Sequence, residues 1–207
     1  VSNGIGAHEV IIETPKHEKD LVDLSAEEIS YVLRLYLNRG LALAKDKRFK
    51  YIMVFKNYGE SAGASIEHAH SQIIALPMVP KLVKAEIDGA SHYAKFRGRC
   101  LFCDILEQEY ADEERVVAQN DQFVGFCPFV PRYPFENWIM PKEHESDFFA
   151  LKEGDMMALA GILKEMLSRM EKALGCSYNF YIHTAPVGYK EKENTLTPSP
   201  YEKAFLL

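Results

Sequence analysis

The apolar positions in the first third of the chain switch between the two-residue period of a strand and the spacing of an amphipathic helix. Ser25 and Glu28 have the spacing of a capping box, and Ile29, Val32 and Leu33 repeat behind them at helical spacing. The predicted elements are a strand over 6–13, a helix from 25 to about 45, a strand over 51–55, a loop over 57–65 and a strand around His70 that ends at Pro77.

The remainder of the chain repeats this pattern after a charged segment, 81–98, that we expect to be a helical connector. Apolar residues at helical spacing from Met156 to Met170 predict a second long amphipathic helix. The other predicted elements are a hairpin formed by 116–118 and 123–127, a strand over 137–140 and a strand over 178–182 that leads to His183.

The two parts of the chain echo each other in order and in motif. Pro15-Lys16-His17 follows the first strand, and Pro141-Lys142-Glu143-His144 follows the corresponding strand of the second part. A long helix and an aromatic-rich strand come next in both cases, at nearly equal separations. We interpret this as a duplicated α+β unit, although strand–helix–strand is common and the match could be chance. The predicted domains are 1–80 and 99–207, joined by the connector 81–98.

Composition and charge restrict the possible partners more than they identify the fold. Of the 207 residues, 47% are hydrophobic and 26% are charged, which is ordinary for a globular protein. The net charge of −6 argues against a nucleic-acid surface, but a pocket for a single nucleotide needs only local donors. No apolar run reaches membrane-spanning length, so we expect no membrane partner. The few cysteines favour a reducing cytoplasm over a disulfide framework.

The segment His68-Ala69-His70-Ser71-Gln72 carries most of the chemical information. On a strand, His68, His70 and Gln72 would share one face, because side chains two apart point the same way. Neutral imidazole can attack phosphorus, a neighbouring histidine can bind zinc, and an amide can donate to phosphate oxygens. The alternative is a hydrogen-bonded pair of structural histidines.

The loop before this segment is rich in small residues, including Gly59, Gly63 and Ser65. Its backbone N–H groups and the serine hydroxyl can bind the same phosphate. The loop begins at Asn57, and the echo places His183 in the equivalent position of the second part, as a further candidate.

Cys100 and Cys103 have the two-residue gap of a zinc knuckle, and His144 is the first candidate for a further ligand. The echo relates His17 to His144, so His17 is a candidate ligand together with His68. Alternatively, Cys100 and Cys103 are two ordinary thiols, and His17 is a surface histidine. Because no cysteine precedes His17, and because the chain begins at Val1 rather than Met and leads directly into a predicted strand, we expect residues to be missing before Val1.

Asn57-Tyr58-Gly59-Glu60-Ser61, with the run from His68 to Gln72, resembles the active-site segment of galactose-1-phosphate uridylyltransferases, a family of the histidine-triad (HIT) superfamily. The segments 134–136, 141–144 and 183–186 resemble that family's second half. The resemblance covers nearly the whole chain and implies tandem HIT-like units of the α+β class, each an antiparallel sheet with a long helix packed on it.

The resemblance also implies a ping-pong nucleotidyl transfer between a UDP-hexose and a hexose 1-phosphate. His70 would form a covalent nucleotidyl-histidine, Gln72 and Ser65 would hold α-phosphate oxygens, and Asn57 would position the substrate. One or two structural zinc ions and a homodimer are further implications. The zinc ligands would be His17 and His68 in the first half, and Cys100, Cys103 and His144 in the second.

Two departures from the family pattern limit the assignment. Ala69 and Ser71 replace the proline and glycine of the common His-Pro-His-Gly-Gln run, and relatives with that serine include a nucleotide-sugar phosphorylase. The His-x-His strand expected after His183 is absent, so we expect residues to be missing near Asn194. The alternatives to uridylyl transfer are therefore an ADP-glucose-type or dinucleotide phosphorylase, a non-catalytic zinc-stabilised nucleotide-binding protein and, less favoured, a HIT-type hydrolase.

Overall fold

The computed structural model describes residues 4–189 and the backbone of residues 205–206. The strands are β1 (Ala7–Ile12), β2 (Tyr51–Tyr58), β3 (His70–Leu76), β4 (Val116–Gln119), β5 (Phe123–Phe126), β6 (Trp138–Pro141), β7 (Tyr178–Ile182) and β8 (Phe205–Leu206). The helices are α1 (Ala26–Leu43), α2 (Lys81–Arg97), α3 (Leu101–Asp112) and α4 (Asp155–Leu174). The gaps predicted before Val1 and near Asn194 lie outside the described residues.

The local signals in the sequence explain where the long helices begin. Ser25 accepts a hydrogen bond from the Glu28 backbone N–H at 3.1 Å, and the Glu28 carboxylate accepts one from the Ser25 N–H at 2.8 Å. This confirms the capping box at the start of α1, which satisfies backbone donors that have no intrahelical partner. The predicted helix in the connector is α2, and it ends at Gly98 in the left-handed conformation.

All neighbouring strands pair antiparallel in one sheet of order β1-β3-β2-β7-β8-β6-β5-β4. The predicted α+β class is therefore confirmed. The order β1-β3-β2 is repeated by β6-β8-β7, and the echoed elements occupy equivalent places. The sheets of the two units are joined side by side, because β2 pairs with β7 from Val54 opposite Ile182 to Tyr58 opposite Tyr178. The domain boundaries themselves stay a prediction.

The helices cover the sheet unevenly. The long helices α1 and α4 pack against each other and on one face of the sheet, where the main core contains Ile29, Leu33, Ile73, Leu163 and Phe180. The shorter helices α2 and α3 pack on the other face, against Val124, Phe126 and Met140 of β5 and β6. The second face of β1, β3, β2 and β7 consequently forms an open surface, on which Val10 and Ile12 are half exposed.

Two boundaries differ from the sequence predictions. The strand β2 continues to Tyr58, so Asn57 lies at the end of a strand and not in the predicted loop, because pairing with β7 continues through Tyr58. The strand β3 begins at His70, so His68 precedes it. The prediction that His68, His70 and Gln72 share one strand face is therefore wrong for His68. The helix α3 was not predicted, although Phe102 and Leu106 have helical spacing.

No helix in the described ranges is long and apolar enough to cross a membrane.

Candidate active site and metal centres

His70 lies at the first position of β3 with its side chain on the open face of the sheet, and only 3% of the residue is exposed. Its Nδ1 lies 2.9 Å from the carbonyl oxygen of His68. Because a carbonyl only accepts, Nδ1 carries a proton, and in the neutral imidazole the lone pair is therefore on Nε2. The backbone thus fixes the tautomer in which Nε2 can act as a nucleophile.

Gln72 shares the open face with His70, and its side-chain oxygen lies 2.8 Å from His8 Nε2. His8 is exposed and lies on β1, the strand that pairs with β3. An N–H of His8 that donates to this oxygen turns the amide so that its NH₂ group remains available as a donor. His8 was not predicted as a site residue, since the contact depends on strand pairing between segments far apart in the chain.

The loop after β2 is built on two glycines with positive φ. Gly59 has a φ of 82°, and a Cβ there would lie 2.1 Å from the Ser177 hydroxyl. Gly63 has a φ of 86°, and a Cβ there would lie 3.8 Å from the Asn57 side-chain nitrogen. The fold therefore brings Gly63 close to Asn57. Ser65 is exposed, and no hydrogen bond found within residues 4–189 connects it to His70 or Gln72.

A cleft of about 700 Å³ lies on the open face over β2 and β7. Phe55 and Asn57 of β2, Asn179 and Tyr181 of β7, and His183 contribute to its lining. Asn57 and His183 are the candidate site residues in this lining. The strand register places His70 one strand further. The cleft is large enough for a ligand of nucleotide size.

Charged side chains meet at the end of this cleft near His183. Arg132 forms ion pairs with Glu86 at 3.0 Å and with Glu136 at 3.1 Å, and His183 Nδ1 lies 3.2 Å from Glu86. Burial acts to raise the pKa of Glu86, but the hydrogen bond with His183 and the charge of Arg132 outweigh it and lower that pKa. The candidate His183 is thus buried beside a carboxylate.

His17 and His68 approach each other between the end of β1 and the start of β3. Their Nδ1 atoms are 3.1 Å apart. His68 Nε2 lies 2.7 Å from the Thr14 carbonyl oxygen, so Nε2 carries the proton and Nδ1 has the lone pair. Two nitrogen ligands of a tetrahedral zinc ion lie about 3.3 Å apart for Zn–N bonds of about 2.0–2.1 Å. The spacing of the two Nδ1 atoms is therefore close to that of two ligands on one zinc ion.

Cys100, Cys103 and His144 form a second group, in which the potential ligand atoms lie within 4.8 Å of one another. Cys100 is buried at the start of α3, Cys103 is in its first turn, and His144 follows β6. The distance between Cys103 Sγ and His144 Nδ1 is 3.2 Å. The hydrogen bond with Cys103 and burial raise the pKa of the Cys100 thiol to about 12. A divalent cation would reverse this effect by binding the thiolate.

Family models match both parts of the chain. Residues 86–204 match "Galactose-1-phosphate uridyl transferase, C-terminal domain", and residues 6–79 match "Domain of unknown function (DUF4931) N-terminal domain".

Among curated relatives, an ADP-glucose phosphorylase from Arabidopsis thaliana is 39% identical over 98% of this chain and 55% of its own length. A galactose-1-phosphate uridylyltransferase from Thermotoga maritima is 28% identical over 91% of this chain and 58% of its own length. The crystal structure of an Arabidopsis ADP-glucose phosphorylase with bound ADP-glucose superposes with a TM-score of 0.88 at 38% identity, over 98% of this chain and 63% of that one. The chain thus spans little more than half the length of these curated relatives.

Proposed function

This chain belongs to the galactose-1-phosphate uridylyltransferase family, and on that premise we propose that it is a nucleotidyltransferase that uses His70 as its nucleophile. The observation that carries the proposal is the contact between His70 Nδ1 and the His68 carbonyl oxygen at 2.9 Å. In the neutral imidazole, this contact places the lone pair on Nε2, on the open face of the sheet, and this tautomer is the one required for attack on phosphorus.

In the first step, Nε2 of His70 attacks the α-phosphorus of a nucleotide sugar. A nitrogen–phosphorus bond forms, the bond from phosphorus to the bridging oxygen breaks, and a sugar 1-phosphate leaves with the electron pair. The proton on Nδ1 stays in its hydrogen bond to the carbonyl, which stabilises the positive charge on the ring. In the second step, an oxygen of the acceptor phosphate attacks the same phosphorus and releases His70.

The phosphate oxygens become more negative during both steps, and donors on the open face would stabilise them. Gln72 can donate through its NH₂ group, because its oxygen is occupied by His8. The loop that contains Gly63 and Ser65 would provide further donors, and Asn57 would position the substrate in the cleft. Gly63 has a positive φ, which is a backbone conformation that residues other than glycine rarely adopt.

We propose zinc sites at both candidate centres. The chemistry of the donors supports zinc, since imidazole nitrogens and thiolates are its usual ligands. His17 and His68 would hold one ion, and Cys100, Cys103 and His144 would hold another. Zinc bound by such residues stabilises the local fold and does not enter the reaction. At the first centre, the ion would fix the residue whose carbonyl orients His70.

We propose ADP-glucose as the donor and inorganic phosphate as the acceptor. Support comes from the ADP-glucose phosphorylase at 39% identity and from Ser71, where the common uridylyltransferase run has glycine. Uridylyl transfer from a UDP-hexose to a hexose 1-phosphate is the second candidate, favoured by the uridylyltransferase relatives and the family model. Both candidates use the same steps at His70.

A cytoplasmic location is part of the proposal, and it is supported by the four cysteines, which form no disulfide within the described residues. The predicted homodimer stays a prediction.

The experiment compares two donors and two acceptors. The full chain is incubated with ADP-glucose or UDP-glucose labelled in the α-phosphate, together with either inorganic phosphate or galactose 1-phosphate. We expect labelled ADP from ADP-glucose and phosphate. Labelled UDP-galactose as the main product would instead support the second candidate. Nucleotide binding without any turnover would contradict the enzymatic proposal and favour a non-catalytic binding protein.

A further inference from the structure

A cluster of buried polar side chains lies behind the candidate active site, on the helix-covered face of the sheet. Lys56 lies at its centre, 2.7 Å from a Glu13 carboxylate oxygen and 2.9 Å from an Asp20 oxygen. The side chains of Lys56 and Glu13 are 1% and 0% exposed. We call these residues, together with Tyr36, Ser71 and Tyr178, the Lys56 cluster.

Hydroxyl groups complete the cluster. Ser71 donates to Glu13 and is hydrogen-bonded to Tyr36, while Tyr178 donates to Asp20 at 3.0 Å. Burial raises the pKa of both tyrosines, so they remain neutral donors. The cluster therefore connects α1, β2, β3 and β7 with the segment that follows β1.

Stability alone is a weak reason for such a cluster. Removing a lysine and two carboxylates from water costs several kcal/mol per ion, and apolar replacements of buried ion pairs are often neutral or stabilising. Charged groups at such a position are better explained by the geometry that they impose on the surrounding backbone, because their hydrogen bonds allow only one arrangement.

The position of the cluster relates it directly to the candidate site. Side chains alternate between the two faces of a strand, so Lys56 and Asn57 project to opposite faces, as do Ser71 and His70. Two cluster residues are thus adjacent in sequence to candidate site residues: Lys56 precedes Asn57, and Ser71 follows His70. In addition, Lys56 Nζ donates to the carbonyl oxygen of His70 itself at 3.3 Å.

We propose that the Lys56 cluster is a positioning device for His70: Lys56 and Ser71 fix the backbone of β2 and β3 so that the imidazole keeps its hydrogen bond to the His68 carbonyl. The inference rests on the proposed function, since it assigns these residues to the role of His70 as nucleophile. Neither residue touches the substrate, and both act through the strand that presents His70.

The test uses Ser71→Ala, with Ser30→Ala as the matched control. Ser30 is equally buried, but it bonds within its own helix to the Glu27 carbonyl at 2.7 Å. The primary readout is the ring N–H resonance of His70 in histidine-labelled protein, assigned by its loss in His70→Asn. In Ser71→Ala we expect the exchange of this His70 ring proton with water to become at least about 10-fold faster, because the segment from His68 to His70 opens more often. In the control, exchange stays as in the parent protein.

Turnover provides a second readout. A positioning role predicts that Ser71→Ala lowers kcat by about 10-fold and leaves KM within about twofold. If Ser71→Ala does not fold, the variant Glu13→Gln/Asp20→Asn/Lys56→Met replaces it, since it removes all three charges together and is expected to keep its melting temperature. The same rise in His70 exchange is expected there.

Unchanged exchange of the His70 proton in a folded cluster variant would overturn the inference. A parent protein without turnover would contradict the proposed function, whereas the exchange measurement would still decide whether the cluster positions His70. The two failures are therefore distinguishable.

Discussion

The His70 imidazole is oriented by a backbone carbonyl and not by a carboxylate. A carbonyl fixes the tautomer without adding a negative charge, which would repel the phosphate that the ring is proposed to attack. The sequence predicted both histidines and the glutamine as site residues. It did not predict that His68 contributes its carbonyl from outside the strand, because that depends on where pairing with β1 begins.

The contact of His8 with Gln72 at 2.8 Å orients the Gln72 side-chain amide, and a substitution of His8 tests this role. In His8→Ala the amide can rotate and lose its preferred direction toward phosphate. We expect kcat/KM to fall by about 3- to 10-fold, corresponding to one lost hydrogen bond of about 1 kcal/mol. Steady-state kinetics measure the change, and His92→Ala, in α2, is the control. Equal kcat/KM in His8→Ala and the parent protein would contradict the role.

The ends of strands carry the candidate ligands. His17 follows β1, His68 precedes β3 and His144 follows β6, so a bound ion at either centre would fix the chain at the ends of these strands. The repeated Pro-Lys-(Glu)-His pattern predicted His17 and His144 as candidate ligands. The helix α3 was not predicted, because its pattern follows directly on α2 and is short.

Metal content tests the second centre. We expect Cys100→Ser to lose about one equivalent of zinc per chain relative to the parent protein, because a serine hydroxyl is a poor zinc ligand. Cys176→Ser is the matched control, since Cys176 is exposed and lies outside the group of Cys100, Cys103 and His144. Elemental analysis of both proteins after dialysis gives the answer, and equal zinc content would refute the assignment.

At the scale of the molecule, the pairing of β2 with β7 combines two similar units into one sheet and creates the cleft over their junction. The echo in the sequence predicted the two units. It could not predict that their sheets would be continuous, because β2 and β7 have the same aromatic-rich pattern whether they pair with each other or face solvent. Glu86, from α2, extends to the same cleft and contacts Arg132 and His183.

The lowered pKa of Glu86 predicts that the stability of the folded protein depends on pH. Its pKa is lower in the folded protein than the ordinary value of 4.5, so its stabilising effect is complete above that value and is lost as the pH falls below it. We expect Glu86→Gln to reduce the free energy of unfolding by about 1–2 kcal/mol at pH 7. The difference should shrink in acid. Urea unfolding of the variant and the parent protein at pH 7 and at a pH below 4.5 measures this difference in the free energy of unfolding. A difference that is independent of pH would contradict the assignment.

The most direct test of the central claim is to detect the covalent intermediate. The full chain is mixed with ADP-glucose or UDP-glucose without an acceptor, denatured at alkaline pH, where a phosphorus–nitrogen bond to histidine survives, and examined as an intact protein and as peptides by mass spectrometry. We expect one nucleotidyl group, located on His70 and absent from His70→Gly. A nucleotidyl group on another residue, or turnover that His70→Gly retains, would contradict the account.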